Sequence, residues 1–195
     1  VAGDGDFLSI GAEHIGPAAN RNVNMTAVVM DNGVYGLTKG QSSPTTDLGK
    51  ITTSTPFGKI ENSVIPLKNY LTIGVSYIAS YYSSKPKDLS KYMLEAMNHK
   101  GFSIVHVMSP CTTYNDTYQI LKGNPKEGIK GLAYEIPEDY DANDISQAEK
   151  LVNSPGIPLG VVYKNESDTI EDRFSFMKEK AKVRSNQEIL NTYSI

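Results

Sequence analysis

The fold is indicated by GDG at residues 3–5 followed, about one helix later, by MTAVVMDN at residues 25–32. The second stretch is a continuous apolar run that ends in Asp31-Asn32, which is typical of a strand buried on both faces in a parallel sheet. Between the two, residues 7–19 carry apolar side chains at roughly helical spacing. Turn, helix and strand together predict a βαβ unit, whose connection is almost always right-handed.

The same alternation of helix and strand returns later in the chain. We predict helices over residues 66–75, 86–99 and 170–182, and strands over residues 77–79, 102–108 and 157–163. Residues 36–63 show no period of 2 or 3.6, which is typical of a functional loop or a disordered one, and residues 122–145 read as a loop-like crossing. The pattern predicts an α/β fold with a mainly parallel sheet.

Composition narrows the class of protein. The 195 residues carry a formal net charge of −3, which argues against nucleic acid as the main partner, and no apolar run approaches the roughly 20 residues that span a bilayer. One cysteine excludes an internal disulfide framework and a complete cysteine metal site. We therefore expect a cytoplasmic protein. Val1 stands where a start methionine would, so we also expect the chain to be the later part of a longer subunit.

The GDG motif carries the chemistry. Glycines allow a sharp turn near an anionic ligand, and a helix that begins behind them favours phosphate. Asp4 can offer a hard oxygen to Mg²⁺, and Asn32, 28 residues later, should emerge at the same edge of the sheet. GDG alone is a common turn, but the spacing to Asn32 favours a site. A dinucleotide fingerprint would need a third glycine that is absent.

Further motifs accompany GDG and Asn32 along the chain. Together they resemble the β subunit of 2-oxoacid:ferredoxin oxidoreductases, with the match running from residue 1 to about residue 115. The motifs are GDGD at 3–6, RN at 21–22, DN at 31–32, YGLTKGQSSPTT at 35–46, HKGF at 99–102 and SPC at 109–111.

The resemblance implies a cofactor site that binds thiamine diphosphate through Mg²⁺. The implied metal ligands are the side chains of Asp4 and Asn32 and the carbonyl of Val34. The residues implied to bind the cofactor are these three together with Gly3, Gly5, Asp6, Gly36, Leu37 and Thr38.

The resemblance also implies the fold and the reaction. The fold would be three-layer α/β/α, with residues 1–115 as the cofactor-binding core and residues 116–195 as an extension that completes the same domain and makes contacts with other subunits. A 2-oxoacid and coenzyme A would give an acyl-CoA and carbon dioxide, with electrons passed to ferredoxin. An α subunit would supply the pyrimidine-binding domain and its glutamate, so this chain alone should be inactive.

Two further residues gain a meaning from the resemblance. Cys111 alone is typical of a small buried hydrophobe, but in the family the cysteine of SPC is the last ligand of a [4Fe–4S] cluster, so we expect that role in the intact subunit only. Lys39 is either a solvated loop cation or a catalytic residue that meets the substrate carboxylate. We assign no catalytic role to the three histidines, and His106 is interpreted as a core or sheet-face residue.

Two alternatives remain open from the sequence. A non-oxidative thiamine diphosphate decarboxylase or synthase would share the GDG site, although SPC and the 35–46 motif argue against it. A non-catalytic scaffold of the same fold would have lost its site, although intact Asp4 and Asn32 argue against that. The sequence does not identify the 2-oxoacid, although LTKGQ at 37–41 resembles enzymes that accept a broad range or 2-oxoglutarate.

Overall fold

A six-stranded sheet organises the chain in the computed structural model, which describes residues 1–181 and 184–193. Four further short strands form two hairpin-like pairs outside it. In chain order the strands are Ala2–Gly3 (β1), Met25–Asp31 (β2), Val34–Tyr35 (β3), Gln41–Ser42 (β4), Tyr77–Tyr82 (β5), Phe102–Met108 (β6), Gly123–Asn124 (β7), Ile129–Lys130 (β8), Ala133–Glu135 (β9) and Ile157–Lys164 (β10).

Seven α-helices lie in the described part of the chain, and the last two follow β10. They are Ala12–Arg21 (α1), Pro66–Thr72 (α2), Pro86–Asn98 (α3), Tyr118–Lys122 (α4), Ile145–Val152 (α5), Ile170–Lys180 (α6) and Asn186–Thr192 (α7). A π-helical turn, Asp6–Ile10, precedes α1, and a 3₁₀ turn, Pro125–Glu127, lies between β7 and β8. No helix within residues 1–181 and 184–193 is long and apolar enough to cross a bilayer.

The sheet has the strand order β1-β2-β6-β5-β10-β9. The first four of these strands run parallel, with β2 and β6 paired in register from Met25 opposite Phe102 to Asp31 opposite Met108. Strand β10 is antiparallel to β5, and β9 is parallel to β10. The carboxyl ends of β1, β2, β6 and β5 therefore share one edge of the sheet.

Helices cover both faces of the sheet. One apolar cluster joins α1, α2 and α5 to the face that carries Val29, Ile78 and Ile104. A second cluster joins α3, through Ala96, to the opposite face, which carries Val105. The three-layer α/β/α arrangement with a mainly parallel sheet is thus confirmed.

Local differences from the sequence expectation have physical causes. The predicted helix over residues 7–19 is interrupted at Gly11, whose N–H bonds back five residues to the carbonyl of Asp6 at 2.7 Å and closes a π turn. Helix α6 ends at Lys180, and Lys182, included in the predicted helix, lies outside the described residues. Strand β9 falls within residues 122–145, which were read as loop, and helix α5 begins at the end of that region and continues where no element was predicted. Tertiary packing outweighs weak local signals there.

Candidate functional site

The site lies where β1 and β2 end. Asp4 follows β1 directly, and the parallel pairing of Gly3 with Met30 brings it beside the end of β2. One carboxylate oxygen of Asp4 accepts the backbone N–H of Asn32 at 3.3 Å. The amide oxygen of Asn32 accepts the N–H of Val34 at 3.0 Å, which closes a turn before β3. The 28-residue spacing therefore does bring the two side chains to one edge.

A cavity of about 470 Å³ opens at this edge. It lies between the π turn, the end of β2 and the segment that follows β3. The residues that line it are Gly3, Asp4, Gly5, Asp6, Ile10, Asn32, Val34, Tyr35, Gly36, Leu37 and Thr38. The nine residues named from the sequence as cofactor-binding thus line a single cavity, and Ile10 and Tyr35 join them.

Two glycines, one in the cavity lining and one next to it, allow other side chains to pack closely against the backbone. A Cβ on Gly5 would lie 2.3 Å from the ring of Tyr35, whose hydroxyl donates to the Gly5 carbonyl at 3.2 Å. Gly33 has φ +67°, and a Cβ there would lie 2.6 Å from the amide nitrogen of Asn115. That nitrogen donates to the carbonyl of Asn32 at 2.8 Å. The glycines therefore admit Tyr35 and Asn115, which fix the backbone beside Asp4 and Asn32.

Asp4 carries a charge that its surroundings do not neutralise. Its side chain is buried, with 1% of the residue exposed, and burial raises the pKa of its carboxyl above the usual value, with the nearby charge of Asp31 acting in the same direction. The Thr45 hydroxyl lies 2.8 Å from an oxygen of Asp4 and 2.8 Å from an oxygen of Asp31. Because a hydroxyl has one proton, it can fully satisfy only one of these carboxylates.

Asp31 is compensated from the other side. Burial opposes its ionisation, but hydrogen bonding to His106 and the charge of that imidazole hold the pKa of Asp31 below its usual value. The His106 Nε2 lies 3.0 Å from Asp31 Oδ2, and its Nδ1 lies 3.2 Å from the hydroxyl of Tyr70. The N–H of Gly33 donates to Asp31 at 2.9 Å. His106 is 2% exposed and is a core residue of the sheet face, as its position predicted.

A buried lysine holds the loop that carries Thr45. Lys59 is 5% exposed, and its ammonium donates to the carbonyls of Ser43 at 3.2 Å, Pro44 at 3.1 Å and Thr46 at 2.8 Å. These three carbonyls, all within residues 43–46, saturate the three donors of a lysine. The segment after β4, which the sequence predicted to be a functional loop or a disordered one, therefore forms a strap that Lys59 holds over the two carboxylates.

Lys39 and Cys111 lie outside the cavity lining. Lys39 is exposed and adopts φ 76°, one residue after the cavity residue Thr38. Cys111 is half-buried and pairs through its backbone with Asn115, which in turn contacts Asn32. The loop of Cys111 is thus connected to the Asp4 edge, while its thiol is a free cysteine.

Residues 1–181 and 184–193 contain no group of three or more His, Cys, Asp or Glu side chains placed to hold a metal ion. The ligand set expected from the sequence has only one such side chain, Asp4, beside an amide and a backbone oxygen. Sequence reasoning missed Thr45, Lys59 and the pairing of His106 with Asp31. The one available signal was polar character: His106 and Ser103 are the two polar residues of an otherwise apolar strand.

Known proteins match the chain in two successive parts. Residues 1–107 match the family model described as thiamine pyrophosphate enzyme, C-terminal TPP binding domain. Residues 111–179 match the model that describes the C-terminal part of the pyruvate ferredoxin oxidoreductase beta subunit. The first match covers more than half of the chain, so the protein is a thiamine pyrophosphate enzyme domain of the C-terminal type.

The relatives define the family more closely. A 2-oxoacid:ferredoxin oxidoreductase subunit beta from Sulfolobus sp is 36% identical over 84% of this chain and 56% of its own length, and one from Saccharolobus solfataricus is 35% identical over 89% and 59%. The chain belongs to the β-subunit family of 2-oxoacid:ferredoxin oxidoreductases. It spans somewhat more than half the length of these relatives.

A solved structure gives the same assignment. The 2-oxoglutarate:ferredoxin oxidoreductase from Magnetococcus marinus, with 2-oxoglutarate, coenzyme A and succinyl-CoA bound, superposes with a TM-score of 0.89 at 38% identity. The superposition covers 99% of this chain and 66% of that one.

Proposed function

We propose that this chain is the diphosphate- and magnesium-binding part of a 2-oxoacid:ferredoxin oxidoreductase. The intact enzyme would convert a 2-oxoacid and coenzyme A into an acyl-CoA and carbon dioxide and pass two electrons to ferredoxin. The observation that carries the proposal is the cavity beside Asp4, where a buried and uncompensated carboxylate lies among every residue that the sequence assigned to the cofactor. The family membership supports the same reaction class.

The donor set suits Mg²⁺. Magnesium takes oxygen ligands and usually one or two carboxylates beside phosphate oxygens and water. Asp4 would supply a carboxylate oxygen, Asn32 its amide oxygen and Val34 its carbonyl oxygen. Burial and the charge of Asp31 leave Asp4 with an unfavourable negative charge, and a divalent cation would neutralise it. The residues present therefore fit the metal.

The same cavity suits a diphosphate next to that metal. Thiamine diphosphate, when bound, supplies the electron sink for the carbanion left by decarboxylation. The chain contributes position: the backbone at Gly3 and Gly5 forms one wall, and residues 36–38 form the other. Leu37 is fully exposed and Ile10 is 79% exposed, so an apolar rim surrounds the cavity mouth. We propose that this rim is covered by an α subunit, which would bear the pyrimidine-binding domain.

Lys39 is proposed to select the substrate. Its ammonium is exposed one residue from the cavity, where a compact cation can meet a substrate carboxylate. Lys39→Ala should weaken the apparent affinity for a dicarboxylic 2-oxoacid, 2-oxoglutarate, more than that for pyruvate. Steady-state kinetics on the reconstituted complex would measure both KM values, and an unchanged ratio would refute the role.

Cys111 is proposed as one ligand of a [4Fe–4S] cluster in the intact enzyme. Four thiolates hold such a cluster, and this sequence has one cysteine, so the remaining ligands would come from elsewhere in the enzyme. The half-buried position of Cys111 and the contact of its loop with Asn32 through Asn115 would place the cluster beside the cofactor.

The cytoplasmic location expected from composition also stays a proposal.

The reaction class is tested with the intact enzyme, which contains the α subunit and the remaining cluster ligands. A 2-oxoacid, coenzyme A, thiamine diphosphate and Mg²⁺ should together reduce methyl viologen, and omission of coenzyme A should suppress the reduction. Release of carbon dioxide without dye reduction would instead indicate a non-oxidative decarboxylase. If neither carbon dioxide nor reduced dye forms, the protein is a non-catalytic scaffold.

A further inference from the structure

A second cavity of about 280 Å³ lies on the other side of the Asp31 carboxylate. It is enclosed by the sheet face that carries Ser80 and His106, by the segment that leads into α2, and by the segment that leads into β10. Asp31 lines this cavity together with Thr45, whose hydroxyl lies 2.8 Å from an oxygen of Asp31 and 2.8 Å from an oxygen of Asp4. None of the nine residues that were assigned to the cofactor lines it.

The walls of this second cavity are mainly apolar. Val64 and Leu67 lie on one side, Val152 and Ile157 on the other, and Met108 closes the edge of the sheet. Ligand sites in proteins are mostly apolar with a few placed polar groups and begin at about 300 Å³. A cavity of about 150 Å³ already holds benzene. The space is therefore sufficient for one substituted ring or a short branched chain.

One polar group in the floor has no partner. The Ser80 hydroxyl is fully buried and makes no hydrogen bond within the described part of the chain. An unpaired buried hydroxyl is unfavourable by about 1–3 kcal/mol, which a ligand with a single hydrogen-bonding group would relieve. His106 and Asp31, in contrast, are already bonded to each other.

Charge restricts what the cavity can accept. The carboxylates of Asp31 and Asp47 both line it. An anionic ligand would bring like charges together in a weakly solvated space. An anion is therefore excluded. A cation would gain little, because Asp31 is already paired with His106 and Asp47 is exposed to solvent.

We propose that this second cavity is a binding site for a small uncharged molecule with an apolar body and one hydroxyl or carbonyl group, which bonds to Ser80. The site does not depend on the proposed reaction, because it uses no residue assigned to the metal or the cofactor. Its ligand would lie against the side of Asp31 and Thr45 that faces away from Asp4.

Phenol, benzene and benzoate form a matched set of probes. The three share one ring, and phenol adds the single hydroxyl while benzoate adds a negative charge. Titrations of the chain, followed by NMR through the methyl groups of Val152 and Ile157, should give saturable shifts with phenol and weaker binding by about tenfold with benzene, the value of one hydrogen bond. Benzoate should cause no saturable shift at those methyl groups.

Two serine variants locate the contact. Ser80→Ala should lower the phenol affinity about tenfold, to that of benzene, and leave benzene unaffected. Ser103→Ala is the control, because Ser103 is equally buried and unpaired but lies on the opposite face of the sheet and does not line the cavity. Absence of phenol shifts at Val152 and Ile157, or equal phenol affinity in wild type and Ser80→Ala, would overturn the proposal.

Discussion

Asp4 and Asp31 lie at neighbouring positions of one sheet edge and share the hydroxyl of Thr45, yet their surroundings differ in charge. Asp31 faces inward to His106 and has a lowered pKa, while Asp4 faces the cavity and has a raised one. This difference indicates a structural role for Asp31 and a binding role for Asp4. A compensated buried carboxylate becomes destabilising only when its partner is removed, and an uncompensated one is available to a cation.

The largest expected effect comes from removing the compensation of Asp31. His106→Leu would leave a buried carboxylate without its partner, which lowers the free energy of unfolding by about 3 kcal/mol. Urea unfolding at pH 7 measures this. His14→Leu, at an exposed position of α1, should change stability by less than about 0.5 kcal/mol. Equal, small effects of the two variants would show that Asp31 needs no compensation.

The next largest effect on stability should come from the strap, the segment after β4 that lies over the two carboxylates. Lys59→Met keeps the apolar stem but removes three donors from the carbonyls of Ser43, Pro44 and Thr46, and should lower the unfolding free energy by about 2 kcal/mol. Lys68→Met, which changes an exposed lysine of α2, is the control. A loss no greater than that of Lys68→Met would exclude a role for Lys59 in holding the strap.

Substitution of Asp4, in contrast, should increase the stability of the fold. In Asp4→Asn the amide can donate to Thr45, which then donates to Asp31, so the chain of bonds is complete and no second charge is buried. Without metal or cofactor, the variant should be more stable than wild type by about 1 kcal/mol at pH 7. Residues of binding sites often show this trade between stability and function. A less stable variant in urea unfolding would mean that Asp4 is structural.

The pH dependence of the stability gained in Asp4→Asn tests whether the gain comes from the charge of Asp4. The folded-state pKa of Asp4 is raised above its ordinary value of 3.8, so the folded state holds this proton more tightly than the unfolded state. Wild-type stability should therefore fall, relative to Asp4→Asn, as the pH rises from 3.8 through the raised pKa. Below pH 3.8 the charge-dependent part of the difference should vanish. A difference that does not change with pH would exclude a charge effect.

Much of this arrangement could be predicted from local sequence. The apolar run of residues 25–30 ends in two polar residues, and that pattern with GDG places Asp4 and Asn32 at one edge, because parallel strands align their carboxyl ends. The periodicity of residues 86–99 likewise predicted α3 to within one residue.

The contacts that distinguish Asp4 from Asp31 could not be predicted in that way. His106 lies 75 residues from Asp31 in sequence, and Lys59 reaches its three carbonyls from within a segment that has no periodic pattern. Strand β10 was predicted as a strand, but its antiparallel pairing with β5 depends on tertiary packing. Such pairings are set by the fold as a whole and leave no mark in residue type alone.

Above all, we propose that Asp4 holds the metal of the cofactor. Thiamine diphosphate titrated by calorimetry into the complex of this chain with its α subunit should bind only with Mg²⁺ present. Asp4→Asn should weaken that binding at least about 100-fold. Even the mutation of a residue that only hydrogen-bonds to a metal ligand weakens metal affinity about 10- to 100-fold. Glu13→Ala, at an exposed position of α1, should leave it unchanged. Equal affinity of wild type and Asp4→Asn for the cofactor and Mg²⁺ would contradict the claim.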